Sequence, residues 1–268
     1  MPTFVNILLS TLMDRWREVD ILLGEAAAHE SAGGKQDFHS VLCRASVVLT
    51  VAHLEGFIRD CAKAVIDDIN RFSTFSAASL HVKRTFCSTF ISANDSESNS
   101  KVERLMATFD GLPTKLIHDP FLFQSKHDDN KNPSPHVIDV IARNFGVKKF
   151  FSILAGSKLD IVFTGQPTEA KLVSDELRND ILAGSVGFPY KIDCSKYALD
   201  QPHAPAATGR SLWEAFLDNL LTQRHKIAHG SNQLNGSSVA EITEFKFKVI
   251  TLQHAFAAVL CNHINTVP

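Results

Sequence analysis

Hydrophobic positions recur at helical spacing over most of the chain. Apolar side chains return every three or four residues between 4 and 29, which predicts a helix that ends before Gly33-Gly34. A second long helix is predicted over 37–72. Its predicted apolar stripe holds Val41, Ala45, Val48, Ala52 and Glu55. Gly56 inside this helix costs about 1 kcal/mol relative to alanine, so we expect a neighbouring helix to approach closely there.

The pattern is weaker in the middle of the chain. The predicted elements there are a loop at 94–100, a short helix at 100–108, a surface loop at 127–135, two helical pieces over 136–155 broken at Gly146, a candidate short strand at 159–163 and a loop at 189–209. No internal repeat is present at the periods typical of solenoid proteins. We therefore expect a mainly all-α fold with an irregular middle region.

The C-terminal third has the clearest helix signals. Ser211 and Glu214 have the spacing of a capping box, and the helix that they open is predicted to run to His229 and to stop at Gly230. Ser238 and Glu241 have the same capping-box spacing, and the second helix that they open has apolar residues at alternating spacings of three and four. These two helices are expected to form an antiparallel pair.

Composition and charge restrict the function classes. The 268 residues are 44% hydrophobic and carry a net charge of −2. These values are typical of a globular protein and not of a basic protein that coats nucleic acid non-specifically. Any nucleic-acid contact must therefore use a local positive patch. Five dispersed cysteines without a C-x-x-C pair predict reduced, buried thiols. With neither a signal peptide nor a terminal membrane span recognisable, we expect a cytoplasmic protein that does not contact a membrane.

Arg224 is the first candidate for chemistry. It continues the apolar stripe of Trp213, Leu217 and Leu220. A buried charge on such a stripe needs a partner or a cleft, because an unpaired one costs several kcal/mol. Glu55 lies on the predicted stripe of the second helix. We therefore predict an ion pair between Glu55 and Arg224.

His229 follows Arg224 by five residues. On a regular helix the two side chains point about 140° apart. They could meet in two ways: the helix could end in time for His229 to turn, or two chains could pair about a two-fold axis and bring two Arg–His sets into one cleft.

These residue types suit RNA cleavage without a metal. A histidine can take the proton of a ribose 2′-hydroxyl or give one to the leaving 5′-oxygen. An arginine can hold the phosphate and stabilise the extra negative charge of the transition state. No cofactor is required, because the 2′-hydroxyl is an internal nucleophile.

Two other interpretations involve the same residues. His225 and His229 are four apart, which is a spacing of metal ligands, but Lys226 stands where the zinc-protease motif requires glutamate. Alternatively, Arg224 is an arginine in a buried ion pair, and His229 is a histidine that interacts favourably with the helix dipole.

Three stretches together resemble the ribonuclease L-like standalone group of the HEPN superfamily. Residues 220–230 resemble its Arg–polar–His signature, which commonly ends in Ala-His-Gly. Residues 52–58 resemble its helix with an aromatic or leucine residue, glutamate and glycine, and 137–151 are similar to its middle helix. The resemblance is best over 36–72 and 134–265. Since 156–209 has no pattern that can be placed in the family, an insertion there stays open.

The resemblance implies one HEPN-type helical bundle over 1–268 that forms a homodimer. It implies a metal-independent endoribonuclease that leaves 2′,3′-cyclic phosphate and 5′-hydroxyl ends on tRNA or mRNA. It further implies a toxin or anti-phage effector, with an antitoxin or defence-system partner. Arg224 and His229 carry over as catalytic residues, and His225, Lys226 and Glu55 as supporting or phosphate-binding residues. The alternatives are a non-catalytic module that binds nucleotides or proteins, and a purely structural helical dimer.

Overall fold

The computed structural model describes residues 1–31, 36–92, 95–116, 132–202, 209–230 and 237–265. Its helices are α1 (Phe4–Ser10), α2 (Leu12–Ser31), α3 (Gln36–Phe72), α4 (Leu80–Ser88), α5 (Ser98–Asp110), α6 (Pro135–Asn144), α7 (Phe150–Leu154), α8 (Ile161–Thr164), α9 (Pro167–Gly184), α10 (Leu212–Ala228) and α11 (Val239–Asn265). Short 3-10 turns lie at Lys158–Asp160 and Ser195–Tyr197. No strand occurs within these ranges, so the predicted all-α class is confirmed.

The longest helix, α3, packs against α1, α2, α10 and α11. Helix α2 runs antiparallel to it. Trp16 lies against His53 and His29 lies against Phe38, with ring centroids 5.1 and 4.7 Å apart. An ion pair of 2.7 Å between Arg15 and Asp60 crosses the same contact.

Helix α11 is parallel to α3 and completes the core. Its residues 248–261 are buried all the way round, as expected for a helix enclosed by its neighbours. Gln253 is polar but fully partnered: its amide nitrogen donates to the carbonyl of His53 at 3.0 Å, and its oxygen accepts from the indole of Trp16 at 3.1 Å. One glutamine thus joins α2, α3 and α11 without leaving a buried polar group unpaired.

Helices α10 and α11 run antiparallel, as the sequence predicts, and they touch through side chains. The Ser211 hydroxyl accepts from the Glu214 N–H, and the Glu214 carboxylate accepts from the Ser211 N–H, so the capping box is confirmed. Phe216 of α10 packs on Phe245 of α11 with ring centroids 5.9 Å apart.

The predicted apolar stripe of α3 is wrong. Val41 is 48% exposed, Ala52 is exposed and Glu55 is half-buried. The face toward the core instead carries Cys43, Val47, Val51, Leu54, Ile58, Cys61 and Val65. The helix is apolar on several sides, so periodicity alone could not show which side the neighbouring helices cover. A Cβ at Gly56 would meet no atom within 4 Å, so the expected close helix approach is absent from the described chain.

The N-terminal helix predicted over 4–29 is two helices. The Thr3 hydroxyl accepts from the Asn6 N–H and opens α1, which ends at Ser10 before α2 begins at Leu12. Thr3 also donates to the carbonyl of Ser185 at 2.6 Å, which fixes the chain start against the end of α9. Gly33-Gly34 lies outside the described residues.

The middle region is more helical than the sequence suggested. The predicted short helix at 100–108 is present as α5, which begins inside the predicted loop at 94–100, while α4 was not predicted. Of the loop predicted at 127–135, only the end at 132–135 lies within the described residues, and α6 begins there at Pro135. The two helical pieces over 136–155 are confirmed as α6 and α7, separated by Gly146 with a φ of 97°.

The short strand predicted at 159–163 is wrong. These residues form the end of a 3-10 turn and the short helix α8. The Asp160 carboxylate accepts from the Gly156 N–H at 2.7 Å, which closes a turn, and from the indole of Trp213 at 2.8 Å. The tertiary contact with α10 therefore favours a turn over an extended chain. Helix α9 fills much of the region that we expected to be irregular, whereas the described part of 189–209 is loop apart from one 3-10 turn.

All five cysteines are buried, as predicted, and none is paired with another cysteine. Burial raises the pKa of Cys87 to about 11 and that of Cys194 to about 12, so these thiols are poor nucleophiles near neutral pH.

Within the described chain, residues 37–72 of α3 are long and apolar enough to cross a membrane by length and composition alone. Half of the most apolar stretch is buried in the bundle, as in many core helices.

Asp68 anchors the N-terminus to the core. Its buried carboxylate accepts from the backbone N–H of Phe4 at 2.7 Å and of Val5 at 3.1 Å, and from the Tyr190 hydroxyl at 2.7 Å. Burial raises the pKa of this carboxyl, and the three donors oppose the rise. The folded state therefore binds the Asp68 proton more tightly than the unfolded state, and this contribution to stability is lost as pH rises through the raised pKa.

Tyr190→Phe removes one donor from the buried carboxylate. We expect the free energy of unfolding to fall by about 1–3 kcal/mol at neutral pH. The loss should shrink as pH drops through the pKa of Asp68, because the hydroxyl stabilises the charged form more than the neutral one. Urea unfolding at several pH values measures both effects. Tyr197→Phe is the matched control, since Tyr197 donates to Asp180, a more exposed carboxylate that also keeps Lys196. An equal loss in both variants at all pH values would contradict this account of Asp68.

Candidate active site

Residues 224–229, at the C-terminal end of α10, carry four of the five predicted site residues and are called the basic turn below. Arg224 is half-buried, while His225, Lys226 and His229 are exposed. His229 is the C-cap residue, with near-helical backbone angles (φ −95°, ψ 8°), and its N–H donates to the carbonyl of His225 at 3.0 Å. Gly230, with a φ of 68°, then ends the helix. The predicted end of this helix is confirmed to within one residue.

The two histidines of this turn are in contact. The rings of His225 and His229 lie 4.2 Å apart between centroids, with an interplanar angle of 53°. Since helical geometry persists through His229, its ring lies beside that of His225, one turn earlier, and not on the face of Arg224. Within one chain the helix end therefore does not turn His229 toward Arg224. The second arrangement, in which two chains pair about a two-fold axis, stays a prediction.

Glu55 does not join this group. Its carboxylate pairs with Arg59, one turn later on α3, at 2.8 Å, and the described residues include no ion pair between Glu55 and Arg224. The packing explains why. Gln253 meets His53, next to Glu55, whereas Gln223, next to Arg224, meets Glu241 at the start of α11. Twelve residues of α11 separate these two contacts, which therefore lie about 18 Å apart along its axis, so Glu55 and Arg224 lie at different levels of the bundle.

A polar network that the sequence analysis missed ties the two ends of the α10–α11 connection together. The Gln223 amide nitrogen donates to the Glu241 carboxylate at 3.3 Å, and the Ser237 hydroxyl donates to the Gln223 oxygen at 2.7 Å. The Ser238 hydroxyl caps α11 by accepting from the Glu241 N–H at 3.2 Å. The spacing of Ser238 and Glu241 indicated the cap, but no local signal connected Gln223 to either end of the loop.

Comparison with known proteins identifies the family. A model of the RiboL-PSP-HEPN family matches residues 14–265. The chain belongs to the RiboL-PSP-HEPN family. Neither a curated protein nor a solved structure matches it significantly. Membership in this family supports a ribonuclease or nucleotide-binding role, and it does not by itself select one of them.

The candidate site of this RiboL-PSP-HEPN protein is a local concentration of basic side chains. Arg224, His225, Lys226 and His229 lie within one and a half turns, in a protein whose net charge is −2. Among the described residues Arg224 makes no ion pair. The carbonyl end of α10 favours positive charge at this position and helps to stabilise the cluster. Such a patch can attract a phosphate backbone although the whole protein is slightly acidic.

The metal alternative finds no donor set in the described part of the chain. Two histidines need at least one further ligand to hold a zinc ion. No cluster of three or more His, Cys, Asp or Glu side chains suited to a metal occurs there. The arrangement is better suited to an anion than to a cation.

Gly230→Ala tests how α10 ends beside His229. A Cβ at Gly230 would meet no atom, so its only cost is the left-handed backbone, about 1 kcal/mol of the free energy of unfolding. Gly187→Ala is the matched control, because Gly187 is equally uncrowded but lies outside the left-handed region. Urea unfolding should show a loss only at Gly230. If the two variants are equally stable, the helix does not end by this cap.

Proposed function

We propose that this protein is a metal-independent endoribonuclease that works as a homodimer, with Arg224 and His229 as its catalytic residues. The observation that supports this most strongly is the exposed basic turn at the end of α10, where His225 and His229 touch and Arg224 has no ion-pair partner among the described residues. A helix end with a structural role alone has no need for two exposed histidines and an unpaired arginine.

The proposed reaction is transesterification within the RNA. The ribose 2′-oxygen attacks phosphorus, the bond to the 5′-oxygen breaks, and a 2′,3′-cyclic phosphate and a 5′-hydroxyl result. His229 takes the 2′-hydroxyl proton or donates one to the leaving oxygen. The guanidinium of Arg224 stabilises the charge that develops on the phosphoryl oxygens. His225 and Lys226 are suited to holding the flanking phosphates.

The geometry of α10 favours a site to which two chains contribute. Arg224 and the histidine pair occupy different sides of the helix, so one chain does not direct them at one phosphate. Pairing about a two-fold axis would place Arg224 of one protomer opposite His229 of the other. The half-buried Arg224 would then gain the phosphate of a bound RNA as its partner.

The biological setting is proposed from the family resemblance alone. We propose a cytoplasmic toxin or anti-phage effector that cleaves tRNA or mRNA and is controlled by an antitoxin or a defence-system partner. RNA ranks above DNA as the substrate because the reaction requires a 2′-hydroxyl.

RNA cleavage in EDTA tests the proposed activity. We expect wild-type protein to cut total tRNA or mRNA and to leave cyclic phosphate ends. His229→Ala and Arg224→Ala should each lower the rate by at least about 100-fold, the usual contribution of a general acid–base or oxyanion-stabilising group. His81→Ala and Arg17→Ala are the matched controls, since both residues are exposed and belong to other helices. Residual activity common to all variants would indicate a contaminant. If the wild type cuts no RNA, the protein is better described as a nucleotide- or protein-binding module.

Mixing two inactive variants tests the two-chain site. Arg224→Ala and His229→Ala protomers, refolded together, form heterodimers that contain one intact Arg–His pair across the interface. We expect activity to reappear in the mixture, although neither variant is active alone. Size-exclusion chromatography with light scattering confirms dimer formation. No recovery in a mixture shown to contain heterodimers would place each Arg–His pair within one chain.

A further inference from the structure

A cavity lies near the basic turn of α10 but does not include it. It has a volume of about 690 Å³ and is formed by α8, α9 and α11, with Met13 of α2. Its apolar lining includes Phe163, Pro167, Ala170, Phe247 and Ile250. This size and this mainly apolar lining are typical of sites that enclose most of a small molecule. None of the residues assigned to RNA cleavage lines it.

Two polar side chains of this cavity lack hydrogen-bond partners. His254 is 1% exposed, and neither ring nitrogen has a partner in hydrogen-bonding geometry. The buried Nε of Arg178 is also unpartnered, and within the described chain Arg178 makes no ion pair. A buried polar group without a partner costs about 1–3 kcal/mol, and native proteins rarely leave two side by side without a reason.

Both residues border the same cavity. Burial lowers the pKa of His254 to about 4, with an opposing effect of the Ile250 carbonyl and a further lowering by the charge of Arg178. The ring is therefore neutral near pH 7 and can donate one hydrogen bond and accept another. Arg178 can only donate. A ligand group that pairs with both side chains must accept a hydrogen bond from Arg178. It can also accept one from the ring N–H of His254.

The charged side chains at the rim of the cavity favour a hydrogen-bond acceptor that carries a negative charge. The acidic rim residues are Glu244, which already pairs with Lys248, and Asp175. Lys171 and Arg178 supply the positive charge. Phe163 and Phe247 offer ring surfaces to a flat apolar body.

We propose that this cavity binds a small amphipathic anion, with an apolar ring-sized body between α9 and α11 and an acidic head hydrogen-bonded to Arg178 and His254. The site does not depend on RNA cleavage. It reaches the first turns of α11 at Ala240 and Thr243, close to the Gln223–Glu241 contact, so it is adjacent to the basic turn but separate from it.

The test uses a matched pair of fluorescent probes that differ in the acidic head. 8-Anilinonaphthalene-1-sulfonate carries a sulfonate, and N-phenyl-1-naphthylamine has the same rings without it. We expect the sulfonate to bind the folded wild-type protein at one saturable site, about tenfold or more tightly than the neutral probe, and to raise its thermal midpoint. Equal affinities for both probes would overturn the assignment of an anionic head.

Substitutions locate the site. Arg178→Gln should remove the preference for the sulfonate and leave the neutral probe unaffected, whereas Arg178→Lys should retain part of it. Arg17→Gln, on the exposed side of α2, should change neither probe. Undiminished sulfonate binding by a folded Arg178→Gln protein would refute the role of Arg178.

A second pair of variants tests the cavity itself. Thr243 lines the cavity from an exposed position, so Thr243→Trp should fill its mouth without disturbing the core, and it should weaken both probes. Leu172→Trp is the matched control, because Leu172 is 61% exposed on α9 and does not line the cavity. If both tryptophan variants bind like the wild type, the probes bind elsewhere and the proposal fails. These readouts require no RNA, so they are independent of the proposed cleavage.

Discussion

The fold depends on the burial of α11 on all sides. A helix that is apolar around its circumference must be enclosed, and α3, α9, α2 and α7 supply most of the enclosure. The amide of Gln253 is compatible with this burial because Trp16 and His53 satisfy it. With α11 in the centre, α10 lies outside it as an antiparallel partner, and its C-terminal turn projects beyond the core. The exposure of the basic turn is thus a consequence of how the core is built.

Some buried polar groups of this protein have hydrogen-bond partners, and other polar groups lack them. Asp68 and Gln253 are buried with their hydrogen bonds made, and they hold elements together. Other polar groups have no partner: Nε2 of His53 lies beside Trp16 in the core, Arg178 and His254 border one cavity, and Arg224 at the end of α10 makes no ion pair among the described residues. Groups of the first kind stabilise the fold, whereas those of the second kind can still bind a ligand. Since an unpartnered polar group is costly, its position is a useful indicator of a site.

The elements that the sequence predicted well are those with local causes. The capping box of Ser211 and Glu214, the cap by Ser238 and the stop at Gly230 depend on residues a few positions apart, and all are present in the structure. The strand at 159–163 was wrong because Asp160 is held in a turn partly by Trp213, 53 residues away, which no local pattern records.

The sequence by itself determined the all-α class, the α10–α11 pair and the family, because helix periodicity, capping and the Arg–His segment are short-range features. Only the tertiary structure decided which face of α3 is buried, that Glu55 does not pair with Arg224, and that Arg178 and His254 border the same cavity. These outcomes depend on the register and rotation of packed helices. A helix that is apolar on several sides permits more than one rotation, and the selection is made by the shapes and polar partners of its neighbours.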